Sequence, residues 1–217
     1  MKIPAWLAVH IDEKSLIQIR DSVTRAEEHT AGEIVPMIVH ASSPKGHLAG
    51  LLCFFLIATF DLVFFILLSR FDFGNVIQFQ IAIVLISFAL GFSLARLDSI
   101  QRALTPRSDR HHNAIVRAEL EFHRSQIRAT HTHTGVLLFV SLMERQAVVL
   151  ADEKIGKKLN SHSWDGVLKT LTDGLGGKDF ADGFSKAIEQ TGMILRDHFP
   201  ASEHSKNDLP NDLQIRD

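Results

Sequence analysis

Gly135-Val136-Leu137-Leu138-Phe139-Val140-Ser141-Leu142 is apolar at successive positions, as a central strand covered by other elements on both faces must be. Met143-Glu144-Arg145 turns the chain back into Gln146-Ala147-Val148-Val149-Leu150-Ala151, whose β-branched content predicts a hairpin partner. Such a sheet needs helices to cover it. Upstream, after a turn at Thr105-Pro106 and Arg107-Ser108-Asp109, residues Ala114, Ile115, Ala118 and Phe122 line one face of a helix running to about Arg128. Downstream, Ser163 can cap a helix with the stripe Trp164, Val167, Leu168, Leu171 and Leu175, which stops at Gly176-Gly177. Asp179 can cap the next, with Phe180, Phe184, Ala187, Thr191 and Ile194 or Leu195 inward until His198-Phe199-Pro200. Gly183 and Gly192 inside it each cost about 1 kcal/mol relative to Ala, which predicts a close helix-on-sheet approach.

Nearer the amino terminus, Asp12 is a plausible cap for a helix over residues 13–29, with Leu16, Ile19, Val23 and Ala26 on one face. Thr30-Ala31-Gly32 ends it, and Glu33-Ile34-Val35-Pro36-Met37-Ile38-Val39-His40 reads as a strand. Pro36 lacks an N–H, which points to an edge position or a bulge. One helix and one strand bury little alone, so residues 1–45 and 98–200 are expected to form one domain. The expected class is α/β, a small three-layer α/β/α sandwich. Residues 201–217, with Glu203, Lys206, Asn207, Asp208, Asn211 and Asp212, read as a solvated polar tail.

Between the two parts, residues 46–97 predict an inserted transmembrane helical hairpin with spans 48–69 and 76–97. The stretch Leu48 to Leu68 holds fifteen Leu, Ile, Phe or Val residues, which together favour insertion by about 5 to 9 kcal/mol. Asp61 opposes this by about 2.5 to 3.5 kcal/mol, so insertion wins. Val76 to Ala95 carries no charge, and twenty residues at about 1.5 Å rise cover a hydrocarbon core of about 30 Å. The linker Ser69-Arg70-Phe71-Asp72-Phe73-Gly74-Asn75 has one Arg, whereas Lys45, Arg96, Arg102, Arg107 and Arg110 flank the other ends. That asymmetry predicts a two-span protein of the plasma (inner) membrane with the soluble domain and both termini cytoplasmic. Asp61 either bonds Gln78, Gln80 or Ser87 of the facing helix or marks an ion path.

With 23 basic and 25 acidic residues and no Lys/Arg block, the chain does not read as a nucleic-acid binder. The single Cys53 excludes an intramolecular disulfide. The opening residues are too briefly apolar for a signal peptide. No P-loop, GxGxxG, HExxH or nucleophile-elbow string is present. Asp152 and Glu153 fall at a strand's carboxyl end, where open α/β sheets place ligand sites, and with Glu144 they offer hard oxygen donors for Ca²⁺ or Mg²⁺. A solvated turn explains the same residues. Glu144-Arg145 at the hairpin tip reads as an exposed ion pair or a partner contact. Among twelve histidines, His111-His112 and the pair His131 and His133 raise a transition-metal reading that no cysteine supports, and a polar loop is its alternative.

Five strings together resemble the TPM domain family: Thr30-Ala31-Gly32-Glu33-Ile34-Val35-Pro36, Arg117-Ala118-Glu119 with Phe122, Thr134 to Leu142 with Glu144-Arg145, Ala151-Asp152, and Trp164 with His198-Phe199-Pro200 and Leu209-Pro210-Asn211. The last resembles its bacterial membrane-anchored branch. The resemblance implies a small α/β/α sandwich and, for some relatives, a weak acid phosphatase activity with a divalent cation, often calcium, held by acidic side chains. Phosphatase-associated members carry a Gly-aromatic-Gly turn after the last strand, where this sequence has Asp152-Glu153-Lys154-Ile155-Gly156. Only Asp152 matches an acidic functional position. The expectation is a membrane-anchored module, non-catalytic, serving the assembly, repair or regulation of another membrane protein. The alternative is a divalent-metal-dependent acid phosphatase.

Overall fold

A computed structural model describes residues 3–43, 46–68, 76–125, 127, 133–176, 180–201 and 209–217. The linker 69–75, Lys45, Gly177, Asp179 and His131 lie outside them. Asp12 Oδ1 accepts the Ser15 backbone N–H at 2.8 Å and starts α1 (Glu13–Glu27). The chain then forms β1 (Glu33–Val39), α2 (Gly46–Leu68), α3 (Val76–Leu94), α4 (Asp98–Leu104) and α5 (Arg107–Arg124). The hairpin strands β2 (Gly135–Ser141) and β3 (Gln146–Ala151) follow, then the short α6 (Glu153–Gly156), a 3-10 turn at Ser161–Trp164, α7 (Asp165–Gly176), α8 (Phe180–His198) and β4 (Gln214–Arg216). The cap before α7 is Asn160, whose side chain accepts the Ser163 N–H at 3.1 Å, rather than Ser163 itself.

The sheet is mixed and four-stranded, in the order β3-β2-β1-β4. Strand β1 runs parallel to β2 and β4, and β3 is antiparallel to β2. Alternation then assigns the two cores. Ile34, Ile38, Val136, Leu138 and Val140 pack with Ile19 and Val23 of α1, Val167 and Leu171 of α7, and Phe184 and Ile188 of α8. Val35, Met37, Val39, Leu137 and Phe139 pack on the other face with Ala114, Ala118 and Phe122 of α5. Every residue of β1 and of β2 is buried, which is why both read as continuous apolar runs.

Two expectations about the sheet need correction. Residues expected to form a solvated tail supply β4, and Leu213 before it is buried in the core. Strand β1 is accordingly not the sheet edge, yet Pro36 keeps its reason. Glu33 N–H donates to Thr134 O at 3.0 Å, and alternate residues of a parallel strand address the same neighbour, so Ile34, Pro36 and Ile38 face the β4 side. Strand β4 covers only Met37 to Val39, and Ile34 N–H is met by Glu27 Oε1 at 2.7 Å. Pro36 falls where no strand needs its N–H.

Glycines set the helix spacing. A Cβ on Gly183 would lie 2.8 Å from Gly174 Cα, and one on Gly192 would lie 2.7 Å from Ala26 Cβ. The close approach predicted from these glycines is therefore between helices, α8 against α7 and α1, rather than helix on sheet.

The chain divides into two compact units, Met1–Ser42 with Arg110–Asp217, and Ser43–Asp109. The second takes in α4 as well as the two apolar helices. Within it α2 and α3 meet through small residues: a Cβ on Gly91 would lie 2.6 Å from Cys53 Sγ and 2.9 Å from Cys53 backbone atoms. Among the described residues no single helix is long and apolar enough to cross a membrane. The apolar stretch Gly50–Ile66 is short of that length, and Gln80–Leu94 meets it only jointly with Asp98–Leu104 across a 92° bend.

Candidate functional site

Asp152 ends β3 and begins α6. Its backbone N–H donates to Gly135 O at 2.9 Å, and Oδ1 accepts the Glu153 N–H at 2.7 Å. The side chain is 4% exposed. The second oxygen, Oδ2, is buried without a hydrogen bond, with His133 Nδ1 3.7 Å away. His133 has a φ of 53°, a left-handed conformation uncommon outside glycine. Because β3 is antiparallel to β2, its carboxyl end lies at the amino end of β1 and β2, so the carboxyl-end rule for parallel sheets does not single out this place.

Glu144 lies at the other end of the hairpin, about 20 Å away along β3. It is fully buried rather than exposed at a tip. Its Oε1 accepts the Ser42 backbone N–H at 3.0 Å and its Oε2 a very short bond from Ser141 Oγ. Ser42 and Ser141 hydroxyls are themselves 2.9 Å apart. A buried carboxylate with these partners fixes the point where the chain leaves β1 for the inserted unit.

The cation expected from Asp152, Glu153 and Glu144 therefore does not fit. Glu144 is at the wrong end of the sheet, and Glu153 is exposed and paired with Lys157 Nζ at 2.7 Å. Among the described residues no group of three or more His, Cys, Asp or Glu side chains converges to hold a metal ion. His111 Nδ1 lies 3.1 Å from Gln146 Oε1, and His112 is exposed. Neither meets His133.

A carboxylate pair that the sequence reading passed over lies between α1, β1 and the C-terminal segment. Glu27 Oε1 caps Ile34 N–H, and Glu27 Oε2 is buried without a hydrogen bond. Burial pushes the Glu27 carboxyl up to about 8, helped by the negative charge of Glu33 and opposed by the Ile34 and Asn211 hydrogen bonds. Glu33 is buried and its Oε2 accepts the Leu209 N–H at 3.4 Å. Asn211 Nδ2 donates to Thr24 Oγ1 at 3.1 Å. Pro36 was the available signal: a proline strand leaves irregular edge donors, and an acid ending the preceding helix can reach one.

In the helical unit Asp61 is half-buried, and Gln78 and Gln80 are exposed. No hydrogen bond joins Asp61 to Gln78, Gln80 or Ser87, and Ser87 Oγ is buried without a partner. Cys53 packs closely against Gly91, and its Sγ lies 3.7 Å from the Phe88 carbonyl.

A mixed four-stranded sheet with helices on both faces, interrupted in sequence after β1 by a helical unit, defines the class. The TPM domain model matches residues 79–194, more than half of the chain, and the chain belongs to that family. The NMR structure of the BA42 protein from the psychrophilic bacterium Bizionia argentinensis is similar over 95% of each chain, with a TM-score of 0.59 and 17% identity. That likeness is one of fold. No curated protein matches the chain.

Proposed function

We propose that the chain is a membrane-anchored TPM module that acts by contact with other membrane proteins, with its α/β domain and both termini on the cytoplasmic side of the plasma membrane. One observation carries the anchoring. The α2–α3 pair turns its largest apolar side chains outward: Phe65 is 72% exposed, Phe54 and Leu85 65%, and Phe55 63%. Exposed apolar surface without a polar face calls for lipid or a partner. The contact role is supported by the use already made of the candidate acids, with Glu144 and Asp152 both capping backbone at opposite ends of the sheet. Purification in mild detergent should recover a stoichiometric membrane-protein partner; repeated recovery of the chain alone would overturn the contact role.

A second reading is phosphate hydrolysis at Asp152, favoured by its buried Oδ2 with His133 nearby. It requires turnover of an aryl phosphate that is lost in Asp152→Asn. Equal turnover in the variant rejects it.

A further inference from the structure

The 92° bend between Gln80–Leu94 and Asp98–Leu104 is a built elbow. The side-chain amide of the buried Gln101 donates to the Ala95 carbonyl at the end of α3. The Gln101 N–H bonds to Leu97 O at 3.0 Å, and Thr105 N–H closes on Gln101 O at 2.9 Å. A buried amide costs free energy unless it is bonded, so the Gln101 side-chain bond to Ala95 ties α4 to the end of α3 across the bend, while the two backbone bonds are those of the helix itself. Helical spacing places Leu97, Ile100 and Leu104 on one side of α4, and Asp98, Ser99 and Arg102 on the other. Leu97 and Leu104 are half exposed, at 50% and 49%. The exposed Arg96 guanidinium stands over the Phe92 ring, 4.6 Å from its centroid, which keeps a cation beside the apolar surface of α3.

We propose that α4 is an interfacial helix that docks on the headgroups of anionic phospholipid. Leu97, Ile100 and Leu104 sink to the boundary between headgroups and acyl chains, and Arg96 and Arg102 engage lipid phosphates. The proposal rests on the anchoring of α2 and α3 proposed above. A helix that leaves a span at nearly a right angle lies in the plane of the membrane, where an apolar side and flanking arginines are both satisfied. Guanidinium groups bind phosphate through paired donors, and charge complementarity selects anionic over zwitterionic lipid because a choline cation offsets the phosphate charge in the latter.

The test uses the full chain in Cys53→Ala background, reconstituted in vesicles of phosphatidylcholine and phosphatidylglycerol. Nitroxide labels are placed by Leu85→Cys, Leu97→Cys, Ser99→Cys and Leu104→Cys, and collision with oxygen and a water-soluble nickel complex gives each depth. The expected result is position 85 in the hydrocarbon, 97 and 104 at the headgroup boundary, and 99 in water. Arg96→Gln and Arg102→Gln should each lower the preference for spin-labelled phosphatidylglycerol over phosphatidylcholine, by up to about fivefold. Position 85 in hydrocarbon with 97 and 104 in water overturns the interfacial helix and leaves the anchor standing. Position 85 in water overturns both. An unchanged lipid preference in both arginine variants overturns the phosphate contact.

Discussion

Glu27 does two jobs that pull in opposite directions. It supplies the acceptor that Ile34 needs at the uncovered part of β1, and it keeps its second oxygen buried without a bond. The carboxyl titrates near 8 in the folded chain against an ordinary value of 4.5. Between those values the folded chain holds a proton that the unfolded chain has released, so stability falls as pH rises through that window, by at most about 1.4 kcal/mol per pH unit. The loss is complete above the folded value. Glu27→Gln keeps a carbonyl for Ile34 and cannot ionise. Thermal melts at pH 6 and pH 9 should show the variant losing less stability than the parent on the way up. Equal losses would mean that Glu27 ionises freely. Glu144 is the second residue whose environment the sequence concealed. A Glu beside an Arg in a turn reads as solvated, and only the fold brings Ser42 and Ser141 to it. Glu144→Ala should cost about 3 kcal/mol, because the buried Ser141 hydroxyl and the part-buried Ser42 N–H lose their acceptor, which chemical denaturation measures directly.

At the scale of elements, apolar pattern made β1, β2, β3 and the stripes of α1, α5, α7 and α8 legible. Burial was close to complete on both sheet faces, so alternation was not needed to find the strands. Strand β4 was hidden for a physical reason: Gln214-Ile215-Arg216 is short and polar at the sheet's rim, and only Leu213 enters the core. The candidate site was less legible than the fold. Asp152 was found and the hairpin gave β3 its direction; what failed was carrying the carboxyl-end rule of parallel strands over to an antiparallel one, because direction decides which acids share an end of the sheet. Helix contacts offer a sharper test. Gly183→Ala places a Cβ against backbone of α7, where no side chain can swing away, and should cost about 1 to 3 kcal/mol. Gly166→Ala, at a position where a Cβ meets open space, is the matched control and should be neutral or slightly stabilising. Similar losses in both variants would show that helix propensity, rather than the α7–α8 approach, governs Gly183.

At the scale of the molecule, two units with different surfaces share one chain. The α/β unit buries its apolar residues in two cores, whereas the helical unit turns them outward. On the proposed anchoring, the flanking positive charge predicts a cytoplasmic α/β unit; protease added outside spheroplasts should then spare it, and cleavage there would reverse the orientation. The central claim is that lipid covers the helical unit. Alkaline carbonate extraction of membranes tests it most directly, with the full chain compared with a chain in which a short Gly/Ser linker replaces residues 46–97. The account predicts that the full chain stays with the membrane pellet and the shortened chain is released folded into the supernatant; release of the full chain by carbonate would contradict it.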